Sequence, residues 1–148
     1  PVPSALSSYS FVIDGGLEQG QPVPSGSFSG IHCEAASEVV SCNCIGGTCP
    51  PNFDPAPGDA GQTAFNLMVT RMRTIYPRVS PDNITIDYLH SGLGFAGDPH
   101  GPDVAPIIRV AMTNQTFPLY LMLGTEVPLP SFTYELTMED GAGTFSNY

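Results

Sequence analysis

Cys33, Cys42, Cys44 and Cys49 crowd into seventeen residues and are the chain's most concentrated reactive groups. Thiols so close can hold a metal as thiolates or pair with one another. Zinc modules usually present C-x2-C knuckles, whereas eight, one and four residues separate these cysteines. Disulfides fit better and imply an oxidising compartment. Residues 31–34 and 39–44 read as two strands around the turn-prone Ala35-Ala36-Ser37-Glu38, and Gly46-Gly47 makes a second turn. These turns favour Cys33–Cys42 with Cys44–Cys49; the crossed pairing stays open.

The second concentration is His90-Ser91-Gly92-Leu93-Gly94-Phe95-Ala96-Gly97-Asp98-Pro99-His100-Gly101-Pro102-Asp103. Ser91 beside His90 invites a secreted serine hydrolase. A nucleophile elbow needs G-x-S-x-G between strand and helix, and here a glycine-rich, non-helical stretch follows the serine. Gly92, Gly94 and Gly97 spell G-x-G-x-x-G, but the dinucleotide fingerprint requires a following helix to receive the pyrophosphate. Asp98-Pro99-His100-Gly101-Pro102 cannot begin one. Calcium needs six to eight oxygens; Asp98 and Asp103, helped by Asp87, are the candidate ligands, without the EF-hand pattern. Otherwise no cofactor is implied. His32, next to Cys33, reads as an ordinary strand residue. Asn83-Ile84-Thr85 and Asn114-Gln115-Thr116 match the N-glycosylation triplet. No catalytic set emerges, so a non-enzymatic role is expected. Long loops in compact domains are often functional, which makes Gly92, Leu93, Gly94, Phe95, Ala96, Gly97, Asp98 and His100 a candidate contact surface.

These residues need a frame. The chain has 148 residues, the size of one domain spanning 1–148, with 41% hydrophobic and only 12% charged residues. Residues 1–30 are rich in Pro, Gly and Ser, and Tyr9-Ser10-Phe11-Val12-Ile13 reads as an edge strand. A proline-rich loop covers 50–60. Over 61–76, Phe65, Met68, Val69, Met72, Ile75 and Tyr76 recur at the spacing of one buried helical face. Asp59 with Gln62 resembles a capping box, and Pro77 ends the helix. Strands follow at 83–89 (Ile84, Ile86 and Tyr88 on one face), 105–113 (Ile108, Val110 and Met112), 117–123, and 131–139. In the last, Phe132, Tyr134, Leu136 and Met138 should face inward. The fold class is therefore α+β: an antiparallel sheet with one main helix packed on one face and a loop-rich, disulfide-stapled N-terminal part.

Charge narrows the partners. Four arginines and no lysine stand against fourteen acidic residues, giving a formal charge of −10. Nucleic-acid binding needs a basic surface and is excluded; anionic lipid is equally disfavoured. No apolar run approaches the ~20 residues of a membrane span. The Pro1-Val2-Pro3-Ser4 opening is expected to follow a removed segment.

Ile31-His32-Cys33, Cys42-Asn43-Cys44, Gly92-Leu93-Gly94-Phe95-Ala96-Gly97-Asp98-Pro99, Leu129-Pro130-Ser131-Phe132 and Thr137-Met138-Glu139-Asp140-Gly141 resemble the soluble C-terminal region of TadE/TadG-like minor pilins of the tight-adherence (Flp, type IVc) pilus system. The resemblance implies a pseudopilin-like head beyond a membrane- and filament-anchoring N-terminal helix. It further implies other pilus subunits and assembly proteins as partners, a periplasmic or cell-surface location, and no catalytic residues. The inner membrane would be reached only through that missing helix. An alternative expectation is a secreted adhesin or carbohydrate-binding module, with Phe95, Tyr120 and Tyr148 as stacking platforms.

Overall fold

The computed structural model describes residues 4–119 and 125–137. A short helix α1 (Ser4–Ser8) leads through turns to strand β1 (Gly30–Ala36), which pairs with β2 (Val39–Cys44). The main helix α2 (Gly58–Ile75) follows, then β3 (Ile84–Leu89), β4 (Ile107–Met112), β5 (Thr116–Leu119), β6 (Thr125–Pro128) and β7 (Phe132–Thr137). Five strands form one antiparallel sheet in the order β2-β1-β3-β4-β7, while among the described residues β5 and β6 pair only with each other. The architecture is the expected α+β arrangement, with both disulfides in the N-terminal part.

Alternation decides which face is covered. Ile31 and Cys33 on β1 stand opposite Tyr88 and Ile86 on β3, and these four, with Ala35 and Ile84, are buried. Phe65 and Val69 of α2 belong to the same core. Gln62 fixes the helix to the hairpin edge: its Oε1 accepts the Val40 N–H at 2.8 Å, and its Nε2 donates to the Glu38 carbonyl at 2.8 Å. Gln62 is therefore not half of a capping box. The helix begins at Gly58, with Pro57 as a cap that makes no side-chain bond, and Asp59 lies inside the first turn. At the other end Ile75 is 89% exposed and drops out of the buried stripe. Met68, Met72 and Tyr76 pack against the core as expected.

Two further expectations fail locally. Tyr9-Ser10-Phe11-Val12-Ile13 is not a strand: residues 11–15 form turns, with Phe11 buried and Ile13 exposed. The backbone N–H of Asp14 donates to the Ser10 carbonyl, a local bond that replaces strand pairing. The first hairpin turn is tighter than the expected four residues. Ser37 and Glu38 alone make it, at φ of 52° and 70°, the positive values a two-residue hairpin turn demands. Asp82 accepts the Ser37 N–H at 2.9 Å and helps hold this uncommon non-glycine conformation.

The apolar face outruns its helical cover. Ile108, Val110 and Met112 on β4 are only partly buried, and their β7 partners Leu136, Tyr134 and Phe132 sit at the sheet's end. Tyr134 is 68% exposed and Phe132 is also exposed, contrary to the inward orientation expected from their alternation. Alternation reports which residues share a face, not whether anything lies on it. Met138 and Glu139 fall outside the described residues, as does most of the expected 117–123 strand beyond Leu119.

Candidate functional site

The cysteines form two local staples. Cys33 and Cys42 are directly opposed in the β1–β2 register and bonded, with Cα atoms 4.1 Å apart. This close spacing suits a non-hydrogen-bonded antiparallel pair. Cys44 and Cys49 close the Gly46-Gly47 turn, with Cα atoms 5.3 Å apart. No thiol among the described cysteines is free, so none remains as a zinc-binding thiolate. In the chain-entropy treatment, loops this short gain roughly 2–3 kcal/mol per bridge. Two disulfides are compatible with an extracytoplasmic setting. Among the described residues, no helix is long and apolar enough to cross a membrane.

The staples border an aromatic core that composition did not announce. Tyr9, Phe11, Phe28 and Phe53 meet edge to face, with ring centroids 4.8 to 6.2 Å apart. Such contacts add roughly 0.5–1.5 kcal/mol each beyond area burial. Burial, followed by the nearby Asp14 carboxylate, raises the Tyr9 phenol above its ordinary value. Burial alone raises Tyr88 much further.

The glycine-rich loop is stitched to this N-terminal part. Gly20 donates to the Ala96 carbonyl and Ala96 to the Gln21 carbonyl, each at 2.8 Å, while Pro22 and Phe95 form a bridge. At the loop's other end, Ala105 donates to the Leu93 carbonyl at 3.2 Å. Gly94 has φ +116°, and a Cβ there would lie 2.3 Å from the Asp103 carbonyl oxygen. At Gly97, φ +74° again excludes an ordinary side chain, and Val12 approaches the missing Cβ to 3.0 Å. The glycines therefore allow close backbone packing, not phosphate binding. Leu93 and Phe95 point out of this fixed frame, 61% and 53% exposed.

The proposed calcium ligands are not gathered. Asp103 is buried, and its two oxygens accept backbone N–H groups: Oδ2 from Phe11 at 2.7 Å and Oδ1 from Asp98 at 3.2 Å. Asp98 Oδ1 accepts the His100 N–H. Asp87 is engaged on β3, where its Oδ1 lies 2.5 Å from His32 Nδ1. No group of three metal-ligating side chains forms among the described residues. His32 therefore does more than an ordinary strand residue, since its ring nitrogen meets a carboxylate. Register places His32, Asp87, Arg109 and Glu135 in one row across the sheet, closed by the Arg109–Glu135 pair at 2.5 Å.

Ser91 and His90 are committed elsewhere. The Ser91 hydroxyl donates to the Ala105 carbonyl at 2.5 Å and accepts the Leu93 N–H at 3.0 Å. His90 Nε2 is 2.8 Å from the Val23 carbonyl and donates to it. The serine thus shapes the loop, and its neighbour does not stand as its base. His100 is exposed on the loop.

Among the shallow hollows at the loop-rich end, two place a carboxylate beside an aromatic ring. One, of about 260 Å³, is lined by Gln19, Phe95, Asp98 and Pro99 together with Gly20, Ala96 and Gly97. The other, of about 270 Å³, is lined by Tyr9, Asp14, Asn52 and Asp54, with Ala5, Ser8 and Ala56. The second was missed from sequence because Asp14 and Asp54 are forty residues apart and carry no motif. Tyr120 and Tyr148 lie outside the described residues. Comparison with family models, curated proteins and solved structures finds no match to this chain.

Proposed function

We propose that this chain is an extracytoplasmic binding and assembly module, the head of a minor-pilin-like subunit that contributes to pilus biogenesis and surface adhesion. Its work would be contact, not catalysis. The observation carrying this reading is the loop spanning residues 91–103: its backbone is tied down on both sides while Leu93 and Phe95 project outward. Exposed apolar side chains on a fixed frame suit recognition, because little conformational freedom is lost on binding. The resemblance of residues 92–99, 31–33 and 42–44 to TadE/TadG-like pilins supports the same role. Other pilus subunits and assembly proteins would then be the partners, at the periplasmic or cell surface.

The test replaces Leu93 and Phe95 together with serine in the native host. Pilus number and adhesion should fall while the protein accumulates normally. Unchanged piliation with a normally folded variant would sink the reading. A second reading, a secreted carbohydrate-binding module, is favoured by the exposed Phe95 ring beside its hollow. Reproducible glycan-array binding that Phe95→Ala abolishes would select it.

A further inference from the structure

Two of the hollows at the loop-rich end set an aromatic ring beside a carboxylate: Phe95 with Asp98, and Tyr9 with Asp14 and Asp54. No arginine lines either one. The cations are confined to one stretch of the chain, while acidic residues run along its whole length. Arg71, Arg73 and Arg78 cluster at the C-terminal end of α2 and just beyond it, Arg109 lies on β4, and no Lys or Arg precedes Arg71. Asp14 and Glu18 lie on the segment whose backbone is stitched to the loop.

The Phe95 hollow is ready for a ligand. Its ring is half exposed, and Asp98 uses Oδ1 for the His100 N–H while Oδ2 has no partner among the described residues. Hydrogen bonds of Ala96 fix its floor. We propose that this hollow receives a lysine or arginine side chain from a basic segment of a partner protein, its cation over the Phe95 ring and paired with Asp98. A ring face and a carboxylate together recognise an organic cation. The chain's −10 charge would steer a basic partner toward this end. A neutral sugar would use the ring but gain nothing from that field. The inference rests on the loop being a contact surface and names the chemistry of what it contacts.

The test is an amide NMR titration of the intact 148-residue chain with Gly-Arg-Gly and Gly-Lys-Gly, against Gly-Gln-Gly and N-acetylglucosamine. The amides of Gly20, Gly97 and Asp98 should move with the basic peptides alone, and less so as salt is raised. Phe95→Ala and Asp98→Asn should each weaken the effect about two- to fivefold. Both residues are surface-accessible, and unchanged spectra elsewhere would verify the fold. Absent shifts, shifts indifferent to both substitutions, or shifts produced by the sugar instead would overturn the proposal. If Phe95→Ala impairs piliation while basic peptides leave the loop unmoved, the assembly role stands and the cationic partner falls.

Discussion

Asp103 is the residue whose replacement should reveal most. Its carboxylate joins two chain segments by accepting the N–H of Phe11, ninety-two positions away, and that of Asp98. A hydrogen bond to a charged acceptor is worth about 1.5–3 kcal/mol net. The shorter 2.7 Å bond to Phe11 belongs in that range, and the 3.2 Å bond to Asp98 nearer ~1 kcal/mol. Asp103→Asn keeps the shape but turns an NH2 group toward one of two donors, so one bond is lost and a donor clash created. A loss of about 2–4 kcal/mol follows, a large share of the 5–15 kcal/mol typical of a domain. Urea unfolding should show a lower midpoint with an unchanged slope. Amide exchange at Phe11 should accelerate more than at Ile86, in the central sheet. A change below about 0.5 kcal/mol, or an undisturbed Phe11 amide, would refute the latch. Calcium and EDTA should leave the wild-type midpoint in place; a calcium-dependent rise would mean that the carboxylate serves a metal.

Gly94→Ala should destabilise by more than about 2 kcal/mol in the same urea assay, because the added methyl meets the Asp103 carbonyl at 2.3 Å and φ is positive. Gln62→Ala should cost about 1–2 kcal/mol, since it removes the two bonds joining α2 to the hairpin; a neutral result would show that burial of Phe65 and Val69 alone holds the helix. Stability should decline as pH rises past 10. The folded state raises the Tyr9 and Tyr88 phenols above their 10.0 reference, so their contribution is complete below that value and lost as the raised values are passed. Tyr88→Phe should flatten the alkaline limb of a thermal-midpoint profile.

Periodicity made the sheet readable and left its covering obscure. Ile84, Ile86 and Tyr88 alternate in the sequence and alternate in burial, because one face of β3 packs on the core. Phe132 and Tyr134 alternate equally well yet stay exposed, since α2 lies over the other end of the sheet. Likewise Phe11 sits in an apolar run that suggests a strand, but its N–H is claimed by a carboxylate far along the chain. No local pattern encodes such a bond. In the candidate site, the glycine-rich loop was legible from its length and glycine content. Its anchoring was not, because Ala96 bonds to Gly20 and Gln21 through backbone atoms that any sequence possesses. The hollow shared by Asp14 and Asp54 was hidden for a related reason: the fold creates that neighbourhood.

The two disulfides have a consequence for how such a protein is made. They span nine and five positions, and both are complete by residue 49. A chain crossing a membrane from its N-terminus would expose all four cysteines before α2 or the last five strands had emerged. Oxidation could then follow the order of emergence, using partners already adjacent in the hairpin, without waiting for distant chain to arrive. Cross-links that enclose long stretches must await the rest of the fold or be reshuffled afterwards. In such a chain export and oxidation would proceed in step, and the stapled hairpin would be present as a finished edge when β3 arrives beside it.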